Sequence, residues 1–179
     1  ISLGEQVLSI DKKRKEAIKL ILDMGAQFTK VGIYINRKLF KSAIIPIGGD
    51  TVTADISQCL NTSFKESERL KVVFGDANLE RINKETDIQI FTETGASDIK
   101  QEYLCKIIES RVMELIHLID KKLKGAVEMT SEIFLTGKGS LLKGVPELLS
   151  KKYNKIIQSS ASEGAISDNR QDISSIALG

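Results

Sequence analysis

The chain has 179 residues, 41% of them apolar and 28% charged, which suffices for one domain with a hydrophobic core or two small lobes sharing a surface and excludes disordered and collagen-like classes. A net charge of +2 is too small to argue for nucleic acid, which requires a concentrated basic face. No apolar run reaches the roughly 18 residues that span a bilayer, and Cys59 and Cys105, with no CxxC partner, encode neither a zinc site nor a disulfide framework.

In chain order, residues 1–10 have weak helical character and the charged run 11–16 reads as an exposed turn. The apolar stretches 18–24, 31–35 and 39–47 have strand length and β-branched content. The turns between them, Gly25-Ala26-Gln27 and Asn36-Arg37, are short enough to make antiparallel hairpins. Asp50, with Thr51 beside it, is expected to cap a helix running to about residue 60. A second helix is expected to start near Thr62 or Ser63, with Glu66 as its capping-box partner, and to stop at Gly75. Residues 87–92 read as a strand. Over 97–124, Ile99, Leu104, Ile107, Ile108, Val112, Leu115, Ile119 and Leu123 recur at three- and four-residue steps, which predicts one long amphipathic helix. His117 falls on its polar side. A buried strand at 132–135, a tight turn at 137–139, a helix over 140–153, a short strand at Ile156-Ile157, a polar loop over 159–168 and a helix start at 172–178 complete a mixed α/β pattern.

Three stretches can carry chemistry. Asp23 to Thr29 is a strand ending in an acid, followed by a small-residue turn with a hydroxyl. Such a turn can aim N–H groups at a phosphate while the carboxylate holds magnesium directly or through water, and the same residues also make an ordinary tight turn. Thr136-Gly137-Lys138-Gly139-Ser140-Leu141 joins a strand to a helix through glycines that let a ligand approach the backbone; it is neither a P-loop nor a dinucleotide fingerprint. Glu66-Ser67-Glu68-Arg69-Leu70-Lys71 alternates charge as a solvated helix face does.

Taken in order, the acidic strand end with its glycine turn, Ile45-Pro46-Ile47-Gly48-Gly49-Asp50, the Asn61-Thr62 helix with Glu68-Arg69-Leu70-Lys71, Ile107-Ile108-Glu109-Ser110-Arg111-Val112, and Leu135-Thr136-Gly137 through Gly144-Val145-Pro146-Glu147-Leu148 resemble the cell-division protein FtsA family over nearly the whole chain. The resemblance implies an α/β fold: the second large lobe of an actin-like (ribonuclease H-like) protein, residues 1–60 plus 125–179, with a smaller α/β lobe inserted at 61–124. It implies that Asp23, Gly25, Ala26, Gln27, Phe28 and Thr29 bind phosphate, with Asp23 reaching magnesium through water. Glu68, Arg69, Gly137, Lys138, Gly139, Ser140 and Leu141 would then surround the adenosine. The implied cofactor is ATP with magnesium in a full-length parent, held weakly or not at all by this stretch alone, with little or no turnover. Where the family has consecutive glycines after the acid, this chain has Ala26, Gln27 and Phe28; Lys30 reverses a charge, and Lys138 replaces a glycine. A glycine lost from a positive-φ position costs about 1 kcal/mol.

On the long helix, Lys100, Ile107 and Arg111 fall along one edge of the apolar stripe, two cations flanking an apolar contact, which suits an acidic-apolar peptide as well as ordinary solvation. The resemblance implies that this edge takes the C-terminal tail of the tubulin-like protein FtsZ. It further implies self-association into actin-like protofilaments, a cytoplasmic location on the inner face of the membrane at the division site, and membrane attachment only through a C-terminal helix that has no counterpart here. No secretory signal opens the chain, and Ile1 in place of Met is expected of a piece of a longer protein. Three other readings stand beside this one: a PilM-type pilus-assembly scaffold, half of a sugar-kinase-like phosphotransferase, and an interaction domain that has lost its nucleotide.

Overall fold

The computed structural model describes residues 18–159; the elements expected before and after that span lie outside the described residues. Three strands open it: β1 (Ile18–Met24), β2 (Thr29–Ile35) and β3 (Lys38–Ile45). They form the expected antiparallel meander, Met24 facing Thr29 and Ile35 facing Lys38. Asn36 and Arg37 both have positive φ, 49° and 68°, the pair of left-handed residues whose twist matches that of a two-residue hairpin. β6 (Glu132–Thr136) joins β1 in parallel and β7 (Ile156–Ser159) joins β6, giving a five-stranded sheet in the order β3-β2-β1-β6-β7.

Alternation along the strands sends Leu20, Leu22, Met24, Val31, Ile33, Ile133 and Leu135 into one contiguous core. The opposite face carries a smaller cluster of Ile21, Phe134 and Tyr34. The core is closed by α1 (Gly49–Leu60), α2 (Phe64–Phe74), α3 (Gln101–Leu123) and α4 (Val145–Tyr153). α3 buries Cys105 together with Leu104, Ile108, Val112, Leu115, Ile116, Ile119 and Leu123, each of these aliphatic side chains contributing about 1.5–3 kcal/mol of apolar transfer. Lys41 of β3 donates to the Leu123 carbonyl at 2.7 Å, so a cation from the sheet satisfies the negative end of that helix. The hydrophobic core therefore runs on through residues 61–124. His117 is exposed, as its helix position predicts, and Cys59 and Cys105 are both free.

Four boundaries differ from the sequence reading. The residue capping α1 is Gly48 rather than Asp50; Thr51 accepts from the Gly48 N–H at 3.2 Å, and Asp50 lies in the first turn. Ser63 caps α2 by accepting from Glu66 N, but the Glu66 carboxylate turns to Arg69 and the Phe91 N–H, so only half of the capping box forms. Residues 97–100 belong to β5 (Gly95–Lys100), which pairs with β4 (Asp87–Thr92) from Asp87↔Lys100 to Thr92↔Gly95. Ile99 keeps the helical spacing by coincidence. The expected helix at 140–153 is split into a 3-10 turn (Lys138–Leu141) and α4, because Gly144 takes a left-handed φ of 81° and Pro146 follows in the first turn.

Candidate functional site

β1 and β6 are parallel neighbours, and each runs at its carboxyl end into a glycine turn. Crevices beyond the carboxyl ends of parallel strands are where α/β sheets bind ligands. The two turns are packed together: a Cβ built on Gly137 would lie 2.4 Å from the Met24 carbonyl oxygen and 2.7 Å from Asp23 Oδ1. Gly48 completes the joint, since a Cβ there would lie 2.3 Å from the Ala26 oxygen. The first N–H groups of α1 are spent on this joint, Gly49 donating to Gly25 O at 3.0 Å and Asp50 to Ala26 O at 2.8 Å.

A cavity of about 370 Å³ opens on the joint, lined by Gly25, Ala26, Gly49, Asp50, Glu68, Lys71, Val72, Lys138, Gly139, Leu141, Leu142 and Lys143. It thus draws on both glycine turns, the start of α1 and one face of α2. Val72, from α2, and Leu141, from the second glycine turn, are 62% and 64% exposed, two large apolar side chains left in solvent on the lining of the cavity, which is apolar surface that a flat ring can cover. Glu68 accepts from Thr53 Oγ1 at 2.5 Å and pairs with Lys71 at 2.6 Å, and Lys71 also donates to Gly49 O and Thr53 Oγ1. Burial raises the Glu68 carboxyl, but the hydrogen bonds from Lys71 and Thr53 prevail and hold it below the ordinary carboxylate range. The bridge is therefore intact at neutral pH and is lost as pH falls through the lowered pKa.

Lys71 stitches α2 to the start of α1 at the edge of this cleft. Lys71→Ala is expected to lower stability by about 2 kcal/mol, read as a thermal midpoint roughly 4–8 °C lower. The exposed Lys65 supplies the control, since Lys65→Ala should leave the midpoint unchanged.

The predicted phosphate residues divide. Gly25 and Ala26 line the cavity, whereas Gln27 and Phe28 are exposed outside its lining. Thr29 is fully buried and donates to Ile47 O at 2.7 Å, so its hydroxyl holds the hairpin to the segment before α1. Asp23 is half-buried with Oδ1 against Gly137. None of residues 25–28 has positive φ, so Ala26, Gln27 and Phe28 replace glycines without the backbone strain the sequence suggested. Among the described residues no group of three or more His, Cys, Asp or Glu forms a metal cage.

The predicted adenosine residues divide as well. Glu68, Lys138, Gly139 and Leu141 line the cavity. Ser140 is buried and donates to Gly137 O at 2.6 Å, a structural bond inside the turn. Arg69 turns away: it forms a double hydrogen bond with Glu66, donates to Gln89 O, and stacks over Phe74 and Phe91. Lys71 and Val72 take its place, and they follow Glu68 by three and four residues, the spacing that shares a helix face. That spacing was the signal for finding them.

A second groove, of about 440 Å³, lies between α1 and α3 and is lined by Asp55, Cys59, Tyr103, Lys106, Ile107, Ser110, Arg111 and Glu114. Ile107 and Arg111 meet there as expected. Arg111 is already engaged, to Asp55 at 2.5 and 2.8 Å and to Glu114 at 2.6 Å. Lys100 stands apart, held by Asp87 at 3.0 Å and the Glu85 carbonyl because it ends β5 rather than lying within α3. Lys106 is the cation that shares the groove with Arg111.

The family described as "Cell division protein FtsA" matches residues 20–177. The cell division protein FtsA of Streptococcus pneumoniae serotype 2 (strain D39 / NCTC 7466) is 31% identical over 147 residues, 80% of this chain and 32% of that protein. The FtsA of Bacillus subtilis (strain 168) is 28% identical over 152 residues, 83% of this chain and 34% of that one. The chain thus spans about a third of the length of the curated relatives it matches. Among solved structures, MreB 5 of Spiroplasma citri bound to AMPPNP superposes with a TM-score of 0.73 at 15% identity, over 94% of this chain and 59% of that one. A PilM-PilN type IV pilus biogenesis complex gives 0.65 at 18% identity, over 87% and 39%. The fold is actin-like, and the chain belongs to the cell division protein FtsA family.

Proposed function

We propose that this chain forms one wall of a nucleotide cleft and, within the full-length protein, binds ATP with magnesium and links FtsZ to the membrane at the division site. The single observation that carries the nucleotide part is the cavity itself, whose lining combines two interlocked glycine turns with an exposed apolar pair, Val72 and Leu141. The adenine ring lies between Val72 and Leu141, and the phosphates run toward Gly25 and Ala26. Asp23, at the end of β1 behind the first turn, would hold magnesium through water; that ion is commonly held by one or two carboxylates and completes its shell with phosphate oxygens and water. The AMPPNP-bound MreB 5 structure supports the reading through its fold.

The chemistry is binding and assembly with little or no turnover, because phosphoryl transfer needs groups arranged around the γ-phosphate from both sides and this wall offers few. Self-association into protofilaments rests on fold analogy. The partner groove between α1 and α3 receives the acidic-apolar FtsZ tail, with Ile107 and Tyr103 as apolar contacts and Arg111 and Lys106 as cations. Among the described residues no helix is long and apolar enough to cross a membrane.

Photolabelling of the full-length protein with an azido-adenine nucleotide tests the placement of the base. Label is expected on the peptides carrying Val72 and Leu141 and is competed by ATP. Label confined to other peptides contradicts the placement.

A further inference from the structure

The cleft holds one cation with no assignment. Lys71 is committed to Glu68, Thr53 and the Gly49 carbonyl, and Lys143 donates to Val73 O at 3.3 Å. Lys138 is exposed, lines the cavity, and makes no hydrogen bond or ion pair among the described residues. Three lysines and two carboxylates, Asp50 and Glu68, line the cavity, which leaves a single net positive charge; without Lys138 the balance is zero.

The position of Lys138 is fixed from both sides. Gly137 and Gly139 back onto the first turn, the Cβ site of Gly139 lying 3.0 Å from Met24 O and 3.4 Å from Gly25 O. Lys138 therefore stands beside Gly25 and Ala26 in the lining of the cavity, which Val72, Leu141 and Leu142 share. On that first turn the N–H groups of Ala26 and Gln27 donate to no protein acceptor among the described residues, while the Thr29 hydroxyl is spent on Ile47. The free amide of Ala26 and the free ammonium of Lys138 belong to residues that line the same cavity. An ammonium in this setting gains from an anion and loses by desolvation against an apolar ring.

We propose that Lys138 is a phosphate ligand of this cleft, a charge supplied by the second glycine turn in place of the hydroxyl that the first turn does not offer, and so a determinant of preference for nucleoside di- and triphosphates over the nucleoside. The proposal rests on the nucleotide reading above.

Equilibrium titration of the full-length protein with ATP, ADP and adenosine, at low and high salt, tests it. Lys138→Ala is expected to weaken ATP binding about tenfold and to flatten its salt dependence. Adenosine affinity should be unchanged, and Lys138→Arg should retain ATP affinity. Unchanged or tighter ATP binding by Lys138→Ala overturns the proposal, as does an equal loss for ATP and adenosine, which marks a merely structural residue. Wild-type protein that binds adenosine and ATP equally overturns it while leaving the base pocket in place. Wild-type protein that binds none of the three overturns the nucleotide reading as well.

Discussion

Gly137→Ala is expected to destabilise the protein by about 3–4 kcal/mol, near the middle of the roughly 2–6 kcal/mol spanned by a backbone penalty of roughly 1–3 kcal/mol together with a steric penalty of about 1–3 kcal/mol for overpacking. The backbone at Gly137, φ 84° and ψ 162°, lies in the region that only glycine occupies freely. The added carbon would meet backbone, the Met24 carbonyl at 2.4 Å, which belongs to the paired end of β1 and has no easy way to retreat. In a protein of this size the loss reads as a midpoint lower by roughly 6–16 °C. Ala26→Gly, on the partner turn, tests the converse: Ala26 has ordinary φ, so it should change the stability by about 1 kcal/mol or less. A midpoint for Gly137→Ala within 2 °C or so of wild type would show that the two turns are not interlocked as described.

Arg111→Glu is expected to abolish measurable binding of an FtsZ tail peptide, a loss of about 100-fold or more. The substitution sets three carboxylates, at positions 55, 111 and 114, side by side in the groove that Ile107 and Tyr103 line. Because that repulsion also acts on stability, Arg111→Met provides the neutral arm and should lose about tenfold or more. The companion Asp55→Asn separates recruitment of the cation from its structural use. Asp55 is the internal competitor for the guanidinium, bonded to it twice, so removing its charge should tighten the peptide several-fold. If Asp55→Asn weakens the peptide and Arg111→Met leaves it unchanged, Arg111 serves only to join α1 to α3. Titration of the full-length protein with a labelled tail peptide reads all three variants.

The sheet was legible because its residues obey local rules: β-branched runs at 18–24 and 31–35, and Asn36-Arg37 at a turn needing positive φ twice. The long helix was legible from its stripe, but its start was misplaced, since Ile99 satisfies helical spacing while its partner across the hairpin, Ile88, is eleven residues away. Pairing of that kind leaves no periodic trace in a single segment. The same limit applies to the site. Gly137 and Gly139 announce a tight approach without naming what approaches, and the answer, the Met24 and Gly25 backbone, lies more than a hundred residues earlier. Arg69 and Lys71 look equivalent in a run of alternating charge, and only the direction of each side chain, toward Glu66 and the β4–β5 hairpin or toward Gly49 and Thr53, separates them. Thr29 carries a hydroxyl of the expected type at the expected place, but burial commits it to Ile47.

The most direct test of the account is an equilibrium titration of the full-length protein with ATP and magnesium, run beside Leu141→Asp. Leu141 is exposed on the cavity wall and bears no part of the core, so the variant should fold as the wild type does. Wild type is expected to bind saturably below about 1 mM, and a carboxylate placed against the base should weaken that binding about tenfold or more. No saturation by wild type up to millimolar ATP, or equal affinity in Leu141→Asp, would contradict the claim that this cleft is a nucleotide site.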